Sequence, residues 1–145
     1  MYKHVLIATD GSELSGKAEA AGLALARSLD ARATAVTVTT PFQYIGVEPM
    51  VVMTTEPEYE KAQAARAEKT LERVKSTAAA MGVPVETVRT IDSRPYEAII
   101  AVAKERGCDL IFMASHGRTG VAGLLLGSET TKVLTHSKIP VLVYR

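Results

Sequence analysis

The stretch from Ala114 to Ser128, ASHGRTGVAGLLLGS, carries the residue types best suited to hold a ligand. Four of the chain's ten glycines fall between Gly117 and Gly127. Glycine loses more backbone entropy on folding than any other residue, so such crowding implies positive φ or close approach of the backbone to something bound. Ser115, Arg118, Thr119 and Ser128 add donors, and a helix is expected from about Ser128 to Ser137. Backbone N–H groups turned out of a loop, with a helix N-terminus behind them, form a cradle for phosphate. The competing reading is a flexible crossover loop that ends in a helix cap at Ser128.

A second loop, Thr9 to Gly16, follows the first apolar run. Asp10 could accept hydrogen bonds there from a ribose or a base amine, or it could simply cap a turn or a helix. The same stretch, Gly11-Ser12-Glu13-Leu14-Ser15-Gly16-Lys17-Ala18, nearly matches the P-loop pattern GxxxxGK[ST]. Ala18 stands where that motif needs the hydroxyl that holds Mg²⁺, which argues against a true P-loop. Other reactive groups are sparse. His4, His116 and His136 show no metal spacing, and no GxSxG elbow or HExxH pattern is present. Cys108 reads as a small buried residue beside a strand, and no nucleophile–base pair stands out.

The elements that must position these loops alternate. Val5–Ala8, Ala33–Thr39, Val85–Ile91, Leu110–Ala114 and Ile139–Tyr144 read as strands, as short apolar or β-branched runs do. Ala18, Ala21, Gly22, Leu25, Ala26 and Leu29 mark one face of a helix after the first strand. Ala64, Ala67, Leu71, Val74, Ala78 and Met81 mark another over roughly Glu58–Met81, stopped by Gly82 and Pro84. Pro95 opens a third, whose Ala98, Ile99, Val102 and Ala103 face inward. Thr40–Pro57, rich in proline and apolar residues, reads as a long loop of functional length. Strands alternating with helices imply right-handed crossovers and a parallel sheet covered on both faces. Ligands of such sheets bind beyond the carboxyl ends of the strands, where both singled-out loops fall.

With 145 residues, 47% of them hydrophobic and 23% charged, the chain is expected to form one globular domain. Its 17 basic and 16 acidic residues leave a formal charge of +1, without the basic excess of a dedicated nucleic-acid binder. A single cysteine, and no apolar run approaching the roughly 20 residues of a membrane span, point to a cytoplasmic protein without membrane contact.

These residues bring the chain close to a known family. It resembles the universal stress proteins over essentially its whole length, through Ile7-Ala8-Thr9-Asp10-Gly11-Ser12, Cys108-Asp109-Leu110-Ile111-Phe112-Met113, the glycine loop and Ile139-Pro140-Val141-Leu142-Val143. Nucleotide-binding members carry G-x2-G-x9-G-[ST]. Gly117, nine residues and then Gly127-Ser128 match its second half, while Ala114 replaces the first glycine. That departure adds one methyl group, which matters mainly if the position needs φ > 0. The resemblance implies one domain over 1–145, of adenine-nucleotide alpha-hydrolase-like type, with an open five-stranded parallel sheet in the order 3-2-1-4-5. It implies a homodimer, and the uncharged edge Val141-Leu142-Val143 suggests joining through the last strand, Ile139 to Tyr144. It further implies ATP, with or without Mg²⁺, between the two loops. Thr9 and Asp10 would then lie toward the ribose and adenine, with the Val38 backbone at the adenine edge. Ala114, Gly117, Arg118, Gly127, Ser128, Glu129 and Thr130 would lie around the phosphates. The leading expectation is a dimeric, ATP-binding regulatory module of the stress response. A slow ATPase or phosphotransferase, and an interaction protein with a vestigial nucleotide site, are the alternatives.

Overall fold

The computed structural model describes residues 1–42, 55–118 and 125–145. Strand β1 (His4–Ala8) and strand β4 (Leu110–Ala114) are buried at every position, because apolar side chains on both faces leave no side for water. Between them in sequence come α1 (Glu13–Ser28), β2 (Arg32–Thr39), α2 (Glu56–Met81), β3 (Val85–Ile91) and α3 (Pro95–Glu105). Helix α4 (Ser128–His136) and β5 (Val141–Tyr144) follow. The five strands are all parallel and lie in the order β3-β2-β1-β4-β5, the expected arrangement. Val5 sits in register with Ala33 on one side and Leu110 on the other.

The alternation of strand side chains divides the core in two. Val5, Ile7, Leu110 and Phe112 pack against Leu23 and Ala26 of α1 and Leu71, Val74 and Ala78 of α2. Leu6, Ala8, Ile111 and Met113 pack on the other face, against Ile99, Val102 and Ala103 of α3 and Val133 of α4. The buried face of α1 is rotated from the expected stripe. Ser15, Glu19 and Leu23 are buried with Ala18, Gly22 and Ala26, whereas Ala21, Leu25 and Leu29 are only half-buried.

Helix α2 begins two residues before the expected start. Thr55 caps it, its hydroxyl accepting from Glu58 N while the Glu58 side chain accepts from Thr55 N. Pro57 therefore lies inside the first turn, where no N–H is needed. Gly82, at φ 70°, ends the helix in the left-handed conformation. The middle of the Thr40–Pro57 segment, residues 43–54, and residues 119–124 of the glycine loop lie outside the described residues.

Candidate functional site

The order in which the chain adds strands reverses between β1 and β4, so the loops after these two strands flank one opening at the carboxyl edge of the sheet. Strand β1 ends at Ala8, opposite Val36, but β2 continues to Thr39. Val36 O accepts from Thr9 N at 3.0 Å, on the β1 side, whereas Thr39 O accepts from Asp92 N at 3.0 Å, on the β3 side. Backbone groups of successive strand residues alternate between neighbours. The N–H and C=O of Val38 therefore point to the β1 side, into the space that β1 no longer fills.

Asp10 closes the opposite side of this space. Its Oδ1 accepts from Ser12 N at 2.9 Å, a turn of the kind foreseen for it, and its Oδ2 accepts from Arg118 N at 2.8 Å. One carboxylate thus ties the β1 loop to the β4 loop across 108 residues of sequence. Burial works to raise the Asp10 pKa, but hydrogen bonds from Ser12 and from the Arg118 N–H outweigh it and hold the carboxyl below its ordinary value.

Two glycines of the second loop, Gly117 and Gly127, are explained by close approach. A β-carbon on Gly117 would collide with Asp10 Oδ2. One on Gly127 would lie 3.1 Å from His116 Cα, because Gly127 N donates to Ser115 O at 2.6 Å and draws the two ends of the loop together. Gly127, not Ser128, is the N-cap of α4, and it supplies no side-chain hydrogen bond. The Ser128 hydroxyl, at the first helical position, is exposed and has no hydrogen-bond partner among the described residues.

The other candidate residues are more firmly committed to the fold. The Thr9 hydroxyl is buried against Ser15 Oγ and Glu19 Oε1. Thr130 donates to Ala114 O at 2.9 Å, which anchors α4 to β4. Glu129 turns away from the opening, accepting from Tyr96 N at 2.9 Å and so capping α3. Ala114 has ordinary strand conformation, paired with Tyr144; among the described residues only Asp30 is a non-glycine with positive φ. His116 Nδ1 lies 3.2 Å from Ser115 Oγ.

The P-loop near-match does not fold as a P-loop. Ser12 caps α1, so Gly16 and Lys17 already lie within the helix; Gly16 N is bonded to Ser12 O and Lys17 pairs with Glu13. The phosphate-facing N–H groups of a true P-loop are absent at these positions.

Between β2 and α2 the opening deepens into a cleft of about 150 Å³. Asp10, Val38 and Arg118 line it, as do Gln63, Arg66 and Thr70 of α2. The α2 residues were not among the sequence candidates, because they interrupt an apolar stripe without forming a motif. Behind the cleft lies a second group that went unforeseen. Glu19 is buried in α1 and receives both Arg73 Nε (2.9 Å) and Nη2 (2.6 Å) from α2. The polar residue on the inner face of α1 was the available signal.

Away from the cleft, His4 Nε2 lies 2.7 Å from Thr34 Oγ1. Burial, with the charge of Arg32, pushes the His4 pKa down. Burial raises the Cys108 thiol to about 11 despite a hydrogen bond to Thr34, so this cysteine is a protonated core residue. Among the described residues no group of three or more His, Cys, Asp or Glu could hold a metal ion. No helix of the described residues is long and apolar enough to cross a membrane.

Comparison with known proteins gives these features a family. The model of the Universal stress protein family matches residues 1–145. The universal stress protein in the QAH/OAS sulfhydrylase 3′ region of Thermus aquaticus is 36% identical over 147 residues, covering both chains completely. The solved structure of MJ0577, a universal stress protein of Methanocaldococcus jannaschii, shares 29% identity at a TM-score of 0.77, covering 99% of this chain and 95% of that one. A universal stress protein solved in complex with cAMP shares 27% identity at a TM-score of 0.73, covering 99% and 97%. With the whole chain matched, and with its five parallel strands in the order 3-2-1-4-5, this protein belongs to the universal stress protein family.

Proposed function

We propose that this protein is a cytoplasmic regulatory module of the stress response that binds ATP between the β1 and β4 loops. The observation that carries the reading is the Val38 backbone, unpaired on the β1 side among the described residues, facing Asp10 across the cleft. A donor and an acceptor on one residue, set in a half-apolar cleft, match the amino group and ring nitrogen along one edge of adenine. The ribose then lies toward Asp10, whose carboxylate retains acceptor capacity beyond its two N–H bonds. The phosphates extend over Gly117 and Arg118 toward Gly127 and Ser128, where the N-terminus of α4 has no side-chain cap and Ser128 offers a free hydroxyl. Thr9, Ala114 and Thr130 support this path from behind. Glu129 serves it indirectly, by fixing α4 to α3. The relative solved with cAMP supports an adenine nucleotide as the ligand class. A Mg²⁺ ion arriving with ATP would be held chiefly by phosphate oxygens and water.

Calorimetric titration tests the reading. The parent protein is expected to bind ATP saturably, and Ser128→Ala to bind more weakly by about 1–3 kcal/mol, the worth of a hydrogen bond to a charged oxygen. Absence of heat at millimolar ATP would overturn it.

A further inference from the structure

The charge of the cleft exceeds what a neutral nucleoside would need. Two guanidinium groups line it, Arg66 on α2 and Arg118 in the β4 loop, against one carboxylate, that of Asp10. Both Asp10 oxygens already accept backbone N–H groups. Neither Arg66 nor Arg118 has a side-chain ion pair or hydrogen bond among the described residues. Two neighbouring arginines behave differently: Arg73, two turns further along α2, is held by Glu19, and Arg89 by Glu60 and Thr39.

Arg118 also reaches the helix that carries Arg66. A β-carbon on Gly11 would lie 2.5 Å from Thr70 Oγ1 and 2.9 Å from Arg118 Nη2, so these two atoms flank the same point. Thr70 lies one turn beyond Arg66 on α2, its hydroxyl donating to Arg66 O at 3.0 Å. The tip of Arg118 thus crosses Gly11 to reach the face of α2 that carries Arg66. Like charges brought to one cleft repel unless an anion sits between them. The planar fork of guanidinium is matched to phosphate oxygens.

We propose that Arg66, together with Arg118, holds a phosphate group of the bound nucleotide between α2 and the β4 loop, which makes α2 the wall that selects phosphorylated ligands over nucleosides. This rests on the nucleotide reading above. It adds a specificity-determining residue that lies outside the glycine motif, on a helix that ends well before the loop in sequence.

Titration of AMP, ATP and adenosine against the parent, Arg66→Ala and Arg66→Lys tests this. Arg66 is exposed, so its replacement leaves the core intact, and thermal unfolding of each variant checks that. Arg66→Ala is expected to lose about tenfold or more in affinity for AMP and ATP and almost none for adenosine. Arg66→Lys, which keeps the charge without the fork, should recover part of the loss. Equal losses for adenosine and AMP, or no loss for either, would overturn the role of Arg66 while leaving the nucleotide site standing. A parent that binds none of the three ligands would overturn the nucleotide reading and this role with it.

Discussion

Gly117 has no room for a side chain, and the obstacle is Asp10. Gly117→Ala would drive the carboxylate off Arg118 N and part the two loops. Overpacking of this kind costs about 1–3 kcal/mol. The variant is expected to unfold at lower temperature and to lose at least tenfold in ATP affinity, readable by thermal unfolding and titration. His4 leads to a prediction about pH. Its folded pKa lies below the unfolded 6.5, so above pH 6.5 neither state carries the extra proton and His4 adds no pH dependence. As pH falls through 6.5 the unfolded chain takes up a proton that the folded chain refuses. Stability then declines until the folded pKa is reached. Urea midpoints from pH 8 to 5 are expected to fall for the parent, and less steeply for His4→Gln.

At the scale of elements, the Glu19–Arg73 pair joins α1 to α2 behind the cleft. Arg73→Ala leaves the Glu19 carboxylate buried with the Thr9 hydroxyl as its one remaining partner among the described residues. Breaking a fully buried pair costs roughly 3–5 kcal/mol. Arg73 is 44% exposed, and water can partly replace it, so about 2 kcal/mol is expected in denaturant unfolding. Replacing both partners by methionine should cost less than Arg73→Ala alone. None of this pairing is legible in one dimension, since 54 residues separate the partners. The strands were legible because runs such as Leu110–Ala114 are apolar on both faces, and Gly82 and Pro95 marked helix ends by backbone geometry. The start of α2 was obscured by Pro57, which reads as a loop residue until Thr55 and Glu58 are seen to form a capping box. Of the contact between the two loops, Asp10, Gly117 and Gly127 were legible from type and spacing. That Arg66 and Thr70 line the cleft was not, because it depends on how α2 lies over the end of β2.

At the scale of the molecule, β5 is an edge of the sheet among the described residues, bonded there to β4 alone. Its Leu142 is 38% exposed, and Leu134 of the adjoining α4 is 41% exposed. An uncharged edge with an apolar side chain suits a two-fold contact, in which one patch serves both subunits. The homodimer we propose through Ile139–Tyr144 predicts that Leu142→Lys sediments as a monomer at tens of micromolar while the parent sediments as a dimer. Because Leu142 is already partly open to solvent, the variant should keep its fold, as circular dichroism would show. Unchanged mass in the variant, or a monomeric parent, would rule out this interface.

The contact between Gly117 and Asp10 changes what the glycine motif can report across a lineage. A relative that had abandoned its nucleotide would still be selected to keep Gly117, since any side chain there would force the two loops apart. Gly127 is held less strictly, since a β-carbon 3.1 Å from His116 Cα asks its neighbour to give by a few tenths of an ångström. Ser128 has no such structural duty among the described residues. Drift at that position, rather than at the glycines, is the early mark by which descendants that have stopped binding could be told from those that have not.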